Sequence, residues 1–146
     1  MEDARKYLKD VVDPTIEEFA KEPASARRAL LACIALYHVS DYLAHPDEPQ
    51  ITQKAFGKAA PDFLLVDRIA NAAKHVVSGH VASPTHPVLD VRRVVDRPPG
   101  WIGTFAIGVS QIGDFVGGVT LADDPTVDVL AVVLRARAFV ETQISK

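Results

Sequence analysis

From residue 29 to residue 40 the chain carries no formal charge. A helix turns by about 100° per residue, so Leu31, Ile34, Leu36, Val39 and Leu43 point in different directions and leave no broad polar face. Such a helix needs neighbours on most sides, which makes it the expected centre of a bundle. The same segment falls in the proline-free window 24–45; the other long windows are 62–83 and 126–146, while ten prolines punctuate the rest. Because proline lacks an amide donor and clashes with the preceding turn, uninterrupted helices belong in those windows.

Residues 62–78 predict a second, amphipathic helix. Phe63, Val66, Ile69, Ala70, Ala73, Val76 and Val77 share one half, Asp67, Asn71, Lys74 and Ser78 the other, and Gly79 is placed to stop it. Ahead of the central helix, Tyr7, Leu8, Val11, Val12, Ile16 and Phe19 recur near helical spacing, with Asp13 as a candidate cap and Pro14 as a candidate first-turn residue. The sequence leaves open whether Pro14 kinks one helix or separates two. Residues 46–61 read as a polar, proline-bounded connection with one short helix over 52–58.

Beyond Pro87 the texture changes. Residues 88–95, 101–109 and 115–121 are rich in β-branched and apolar side chains, and six of the eight glycines lie between 100 and 118. Two or three short strands in a hairpin or meander are expected there. Asp124 and Pro125 read as the start of a closing helix. The expected fold is therefore mainly α: four to five helices with a small Gly-rich β-hairpin or meander before the C-terminal helix. A chain of 146 residues suits a single domain. It divides into a helical bundle over 1–83, a hairpin region over 84–122 and the closing helix over 123–146.

Charge narrows the function. Sixteen Lys and Arg against nineteen Asp and Glu give a net charge of -3, which argues against coating of DNA or anionic lipid. Residues 27–97 nevertheless carry nine basic and seven acidic side chains, whereas 98–134 carry four acids and no Lys or Arg. The one cysteine, Cys33, excludes an intrachain disulfide and a thiolate zinc cage, reads as inert packing, and fits a cytoplasmic location. The charged start does not resemble a secretory leader, and the longest uncharged run, 98–113, is interrupted by two prolines and falls short of the roughly 18–20 residues of a spanning helix.

The histidines at 38, 45, 75, 80 and 86 all fall in or just after the two central helices. Arg68 and His75 are seven residues apart, on one helix face and about 10.5 Å apart along the axis, with Asn71 between them in height. His38, Asp41, Tyr42 and His45 form a matching stripe, and Lys74 flanks His75. One reading is a satisfied polar network in which His38, Asp41 and Arg68 pair and fix helix register. The other is a catalytic or ligand site. His38, Asp41 and His45 have ligand-compatible spacing, but no HExxH or paired ExxH motif accompanies them, so neither metal nor cofactor is expected. A phosphate loop is excluded because Asp114 stands where its lysine belongs after Gly108 and Gly113. Trp101, Phe105 and Phe115 among glycines suggest a hydrophobic lid or a small-molecule pocket.

The segment RIANAAKH, from Arg68 to His75, resembles the motif of the HEPN superfamily, in which an Arg and a His separated by four to six residues lie on a helix of a small bundle. Two departures stand out: Ile69 takes the place of the usual polar residue, and the Gly-rich β segment is foreign to the all-helical form. The resemblance implies a homodimer with paired motifs lining a cleft and metal-independent cleavage of RNA, as in a toxin. Arg68 would stabilise the phosphorane charge, His75 would act as general acid or base, and Asn71 would orient either. Two functions follow as expectations. The first is a structural or binding role, with a second copy or another protein as partner; the second is this ribonuclease.

Overall fold

The computed structural model describes residues 2–77, 88–100, 107 and 112–145. The uncharged stretch forms helix α3 (Ala26–Ala44), whose Ala29, Ala32, Cys33, Ala35, Leu36, Val39, Ser40 and Ala44 are buried. It packs against each of the other α-helices described below and touches the hairpin. Its alanines let neighbouring backbones come close. The ring of neighbours is open at one place, since Leu31 is 42% exposed. The Ser25 side chain accepts from the Arg28 amide at 3.4 Å, and the Asp96 carboxylate, from the hairpin, accepts from the Ala26 amide at 2.5 Å. Orphan amides at the helix start are thus satisfied from two directions.

At the N-terminus the chain stays helical past Pro14. Helix α1 (Glu2–Tyr7) runs through a π-helical turn (Leu8–Val12) into α2 (Asp13–Lys21). Pro14 cannot donate to Asp10 and its ring crowds that carbonyl, and the widened turn just upstream accommodates both defects. Asp13 is not a cap. It receives a two-pronged salt bridge from Arg137 of helix α6 (Val129–Ile144), with Nε to Oδ1 at 2.9 Å and Nη2 to Oδ2 at 3.0 Å.

The connection after α3 is more ordered than its composition suggests, because α4 (Pro49–Ala59) occupies most of it. Phe56 anchors α4, meeting Phe63 and Phe139 edge-on with centroids 5.2 Å from each. Helix α5 (Pro61–His75) follows directly. It ends earlier than the apolar pattern predicts: Val76 takes φ +69°, costly for a β-branched residue, so Val76 and Val77 leave the helix. The Val76 carbonyl accepts instead from the Val91 amide at 2.8 Å, and Val77 bridges to Asp90. Gly79 lies outside the described residues.

Of the predicted strands, two are described. A 3₁₀ turn (Val91–Arg93) takes part of the first predicted run, and β1 (Val94–Arg97) begins only after it. Strand β1 pairs antiparallel with β2 (Gly118–Leu121), Val94 opposite Leu121 and Arg97 opposite Gly118. A Cβ on Gly118 would lie 2.8 Å from Arg97 Nη2, so the glycine makes room for a buried guanidinium. The candidate strand over 101–109 falls almost wholly outside the described residues. Helix α6 starts at Val129 rather than at Asp124: Asp128 is its cap, accepting from the Ala131 amide at 3.1 Å, while Asp124 closes a local turn with Thr126. Buried side chains from five of the six described α-helices and both strands join one apolar cluster, against which the partly buried Phe56 of α4 packs, so the molecule is mainly α with a two-stranded hairpin before the last helix.

Candidate functional site

Only part of the polar half of α5 faces solvent as its sequence pattern predicts: Lys74 is exposed, but Asp67 and Asn71 are half-buried. Helix α4 lies across it, and a cleft of about 710 Å³ opens between α3, α4 and α5. Tyr37 of α3, Gln50, Gln53, Lys54, Gly57 and Lys58 of α4, and Leu64, Asp67 and Asn71 of α5 line it. Gly57 permits the close approach of α4, since a Cβ there would meet Leu64 Cδ1 at 3.2 Å.

Asn71 is fixed by its own helix. Its side-chain amide donates to the Asp67 carbonyl at 3.0 Å and to the Asp67 carboxylate at 2.5 Å. Burial raises the pKa of Asp67, and the hydrogen bond from Asn71 and the charge of Arg68 only partly oppose it. Burial likewise raises the Tyr37 phenol, with the charge of Asp67 adding to the effect. A carboxyl shifted by desolvation inside a concave site is a recurrent mark of functional chemistry. Behind the cleft, the Asp41 carboxylate pairs with His38 Nδ1 at 2.7 Å and accepts from Gln53 at 3.0 Å.

The residues singled out by sequence divide into four groups. His38 and Asp41 pair as expected, but their third partner is Gln53 of α4 rather than Arg68. The carboxylates that bear on Arg68 are those of Asp123 and Asp67; burial lowers its pKa, and these two charges oppose the shift. Tyr42 turns towards the N-terminus and stacks on Tyr7, centroids 4.4 Å apart, while His45 is exposed just past the end of α3. Both line a separate hollow with Asp3 and Asp41. Arg68 is half-buried, Lys74 and His75 are exposed at the end of α5, and none of the three lines the cleft. Asn71 is the one member of the predicted catalytic trio that does.

Sequence reasoning missed Gln50, Gln53, Lys54 and Lys58, which sit in the segment read as a connection. One signal was available: Gln50, Gln53, Lys54 and Lys58 recur at i, i+3, i+4 and i+8, a polar face opposite Phe56. Cys33 is fully buried with its thiol pushed up to about 12 by burial, as suits packing. Among the described residues no three His, Cys, Asp or Glu side chains are placed to hold a metal, and no helix is long and apolar enough to cross a membrane. Of the aromatics suggested as a lid, Trp101 and Phe105 lie outside the described residues and Phe115 is 71% exposed. Comparison with known proteins gives no matching family model, no matching curated protein and no matching solved structure.

Proposed function

We propose that this protein is a binding module whose ligand is a small polar molecule held in the cleft between α3, α4 and α5. The observation that carries the reading is the cleft itself, whose volume of about 710 Å³ falls in the range that holds metabolite-sized ligands. Its walls combine donors from Gln50, Lys54 and Lys58 with the acceptor and donor groups of Asp67, Asn71 and Tyr37. Leu64 and the Tyr37 ring supply apolar surface between them. Rigid helices carry every one of these groups, so the site is largely preformed and ordering costs on binding are small.

The test is an amide chemical-shift screen of the labelled protein against a set of polar metabolites. Perturbations should cluster on the cleft residues and vanish in Asn71→Leu, which keeps the branched side-chain shape and removes both the donor and the acceptor of the amide. Shifts scattered over the surface, or unchanged in that variant, would overturn the reading. Cleavage of RNA by the purified protein, lost in His75→Ala without a change in Tm, would replace it with the ribonuclease reading of Arg68 and His75.

A further inference from the structure

The charges lining the cleft are unequally satisfied. Asp67, the one carboxylate among the described residues that line it, accepts a hydrogen bond from Asn71, and two further acids of α3 and α5 are also engaged: Asp41 with His38 and Gln53, Asp62 with Arg135. Lys54 and Lys58 are exposed at the mouth, and among the described residues neither has a hydrogen-bond or ion-pair partner. They stand four residues apart on α4, one turn of about 6 Å, so their ammonium groups reach the same side of the opening. Gln50 adds an amide one turn before Lys54 on the same face, likewise without a hydrogen-bond partner among the described residues.

On this basis, and resting on the binding reading above, we infer that the cleft takes an organic anion: a compact ring with a carboxylate or phosphate group. The acid group would meet Lys54 and Lys58, and the neutral body would lie against Tyr37, Leu64 and Gly57, within reach of Asn71 and Asp67. An inorganic anion alone would leave most of a 710 Å³ cleft unfilled and the apolar wall uncovered. The low-dielectric walls strengthen the field of the two ammonium groups at the mouth. The positive balance of residues 27–97 has the same sign as this local field.

Two matched pairs of probes decide the question: nicotinate against nicotinamide, and adenosine monophosphate against adenosine, each titrated by amide shifts, with inorganic phosphate as a fifth arm. At least one anion should bind about tenfold tighter than its neutral partner, as expected for a charge-assisted contact. That advantage should disappear in the Lys54→Gln, Lys58→Gln double variant and shrink in high salt. Which pair shows it separates carboxylate from phosphate ligands. If the neutral partners bind as well as the anions, or the double variant keeps the preference, the anion inference fails while the binding reading stands. Phosphate binding as tightly as the organic anions would also overturn it, because the ring would then contribute nothing. If none of the five moves a cleft resonance, the anion inference fails, and the binding reading is decided by the wider metabolite screen.

Discussion

Two aspartates show how differently the bundle and the hairpin treat a carboxylate. In the α3–α4–α5 cleft, burial raises the pKa of Asp67 against the opposing influence of Asn71 and Arg68. In the hairpin, burial also pulls the pKa of Asp114 upwards, yet the Gly117 and Val116 amides and Arg97 outweigh it and hold the group below its usual value. Asp114 accepts from those two amides at 2.9 and 3.1 Å and from Arg97 Nε at 3.1 Å, so it is saturated. Asp67 is not. An over-satisfied carboxylate pins a loop, whereas an under-satisfied one in a cleft retains capacity for a ligand.

That contrast breaks most sharply at Arg97. Its residue is only 4% exposed, it reaches Asp114 at 3.0 Å and Asp128 at 3.8 Å, and among the described residues Nη1 has no hydrogen-bond partner. Arg97→Ala should cost about 3–5 kcal/mol in urea unfolding, because it strands Asp114 and leaves a void. A loss below about 1 kcal/mol would mean the hairpin does not depend on this pair.

Gly117→Ala comes next, at about 2 kcal/mol, from a φ of +77° and a Cβ that would sit 2.5 Å from the Arg97 carbonyl oxygen. The clash is with backbone, which cannot move aside as a side chain does.

The two aspartates themselves should give variants of opposite sign. A lowered pKa contributes stability that is present at neutral pH and is lost as pH falls below about 4 through the folded value. Asp114→Asn should therefore lower Tm at pH 7 and make little difference in acid. A raised pKa contributes stability below the unfolded value of about 3.9 that is lost as pH rises through the folded one. Asp67→Asn should therefore raise Tm at pH 7, with the gain fading in acid. Melting curves across pH 3–8 check both, and shifts of the same sign would erase the distinction between the regions.

The smallest effect belongs to Arg135→Ala. Its pair with Asp62 joins α6 to α5 at 2.8 and 2.9 Å but lies largely in solvent, so unfolding free energy should fall by no more than about 1 kcal/mol.

Legibility in the sequence followed the range of the interactions. The central position of α3 was readable because a helix without charge has nowhere to put a solvent face. The ends of α5 and α6 were not, because Val76 and Asp128 are set by contacts with Val91 and with the amides of the next turn rather than by glycine or proline signals. The Asn71 position was legible from the helical stripe, but its neighbours in the cleft were hidden. Asp67, Asn71 and Lys74 look like an ordinary wet face until α4 is placed over part of it. That placement depends on Phe56 finding Phe63 nearby and Phe139 far along the chain.

By itself, then, the sequence determined the fold class, the helical windows and the uncharged centre, because proline spacing and apolar periodicity act over a few residues and need no partner to be read. The tertiary structure alone decided which polar face became a cleft and which arginine became buried. Burial, and with it the strength of every charge and hydrogen bond, depends on what packs from a distance: α4 over Asp67, and the Gly117–Gly118 segment at the start of β2 over Arg97.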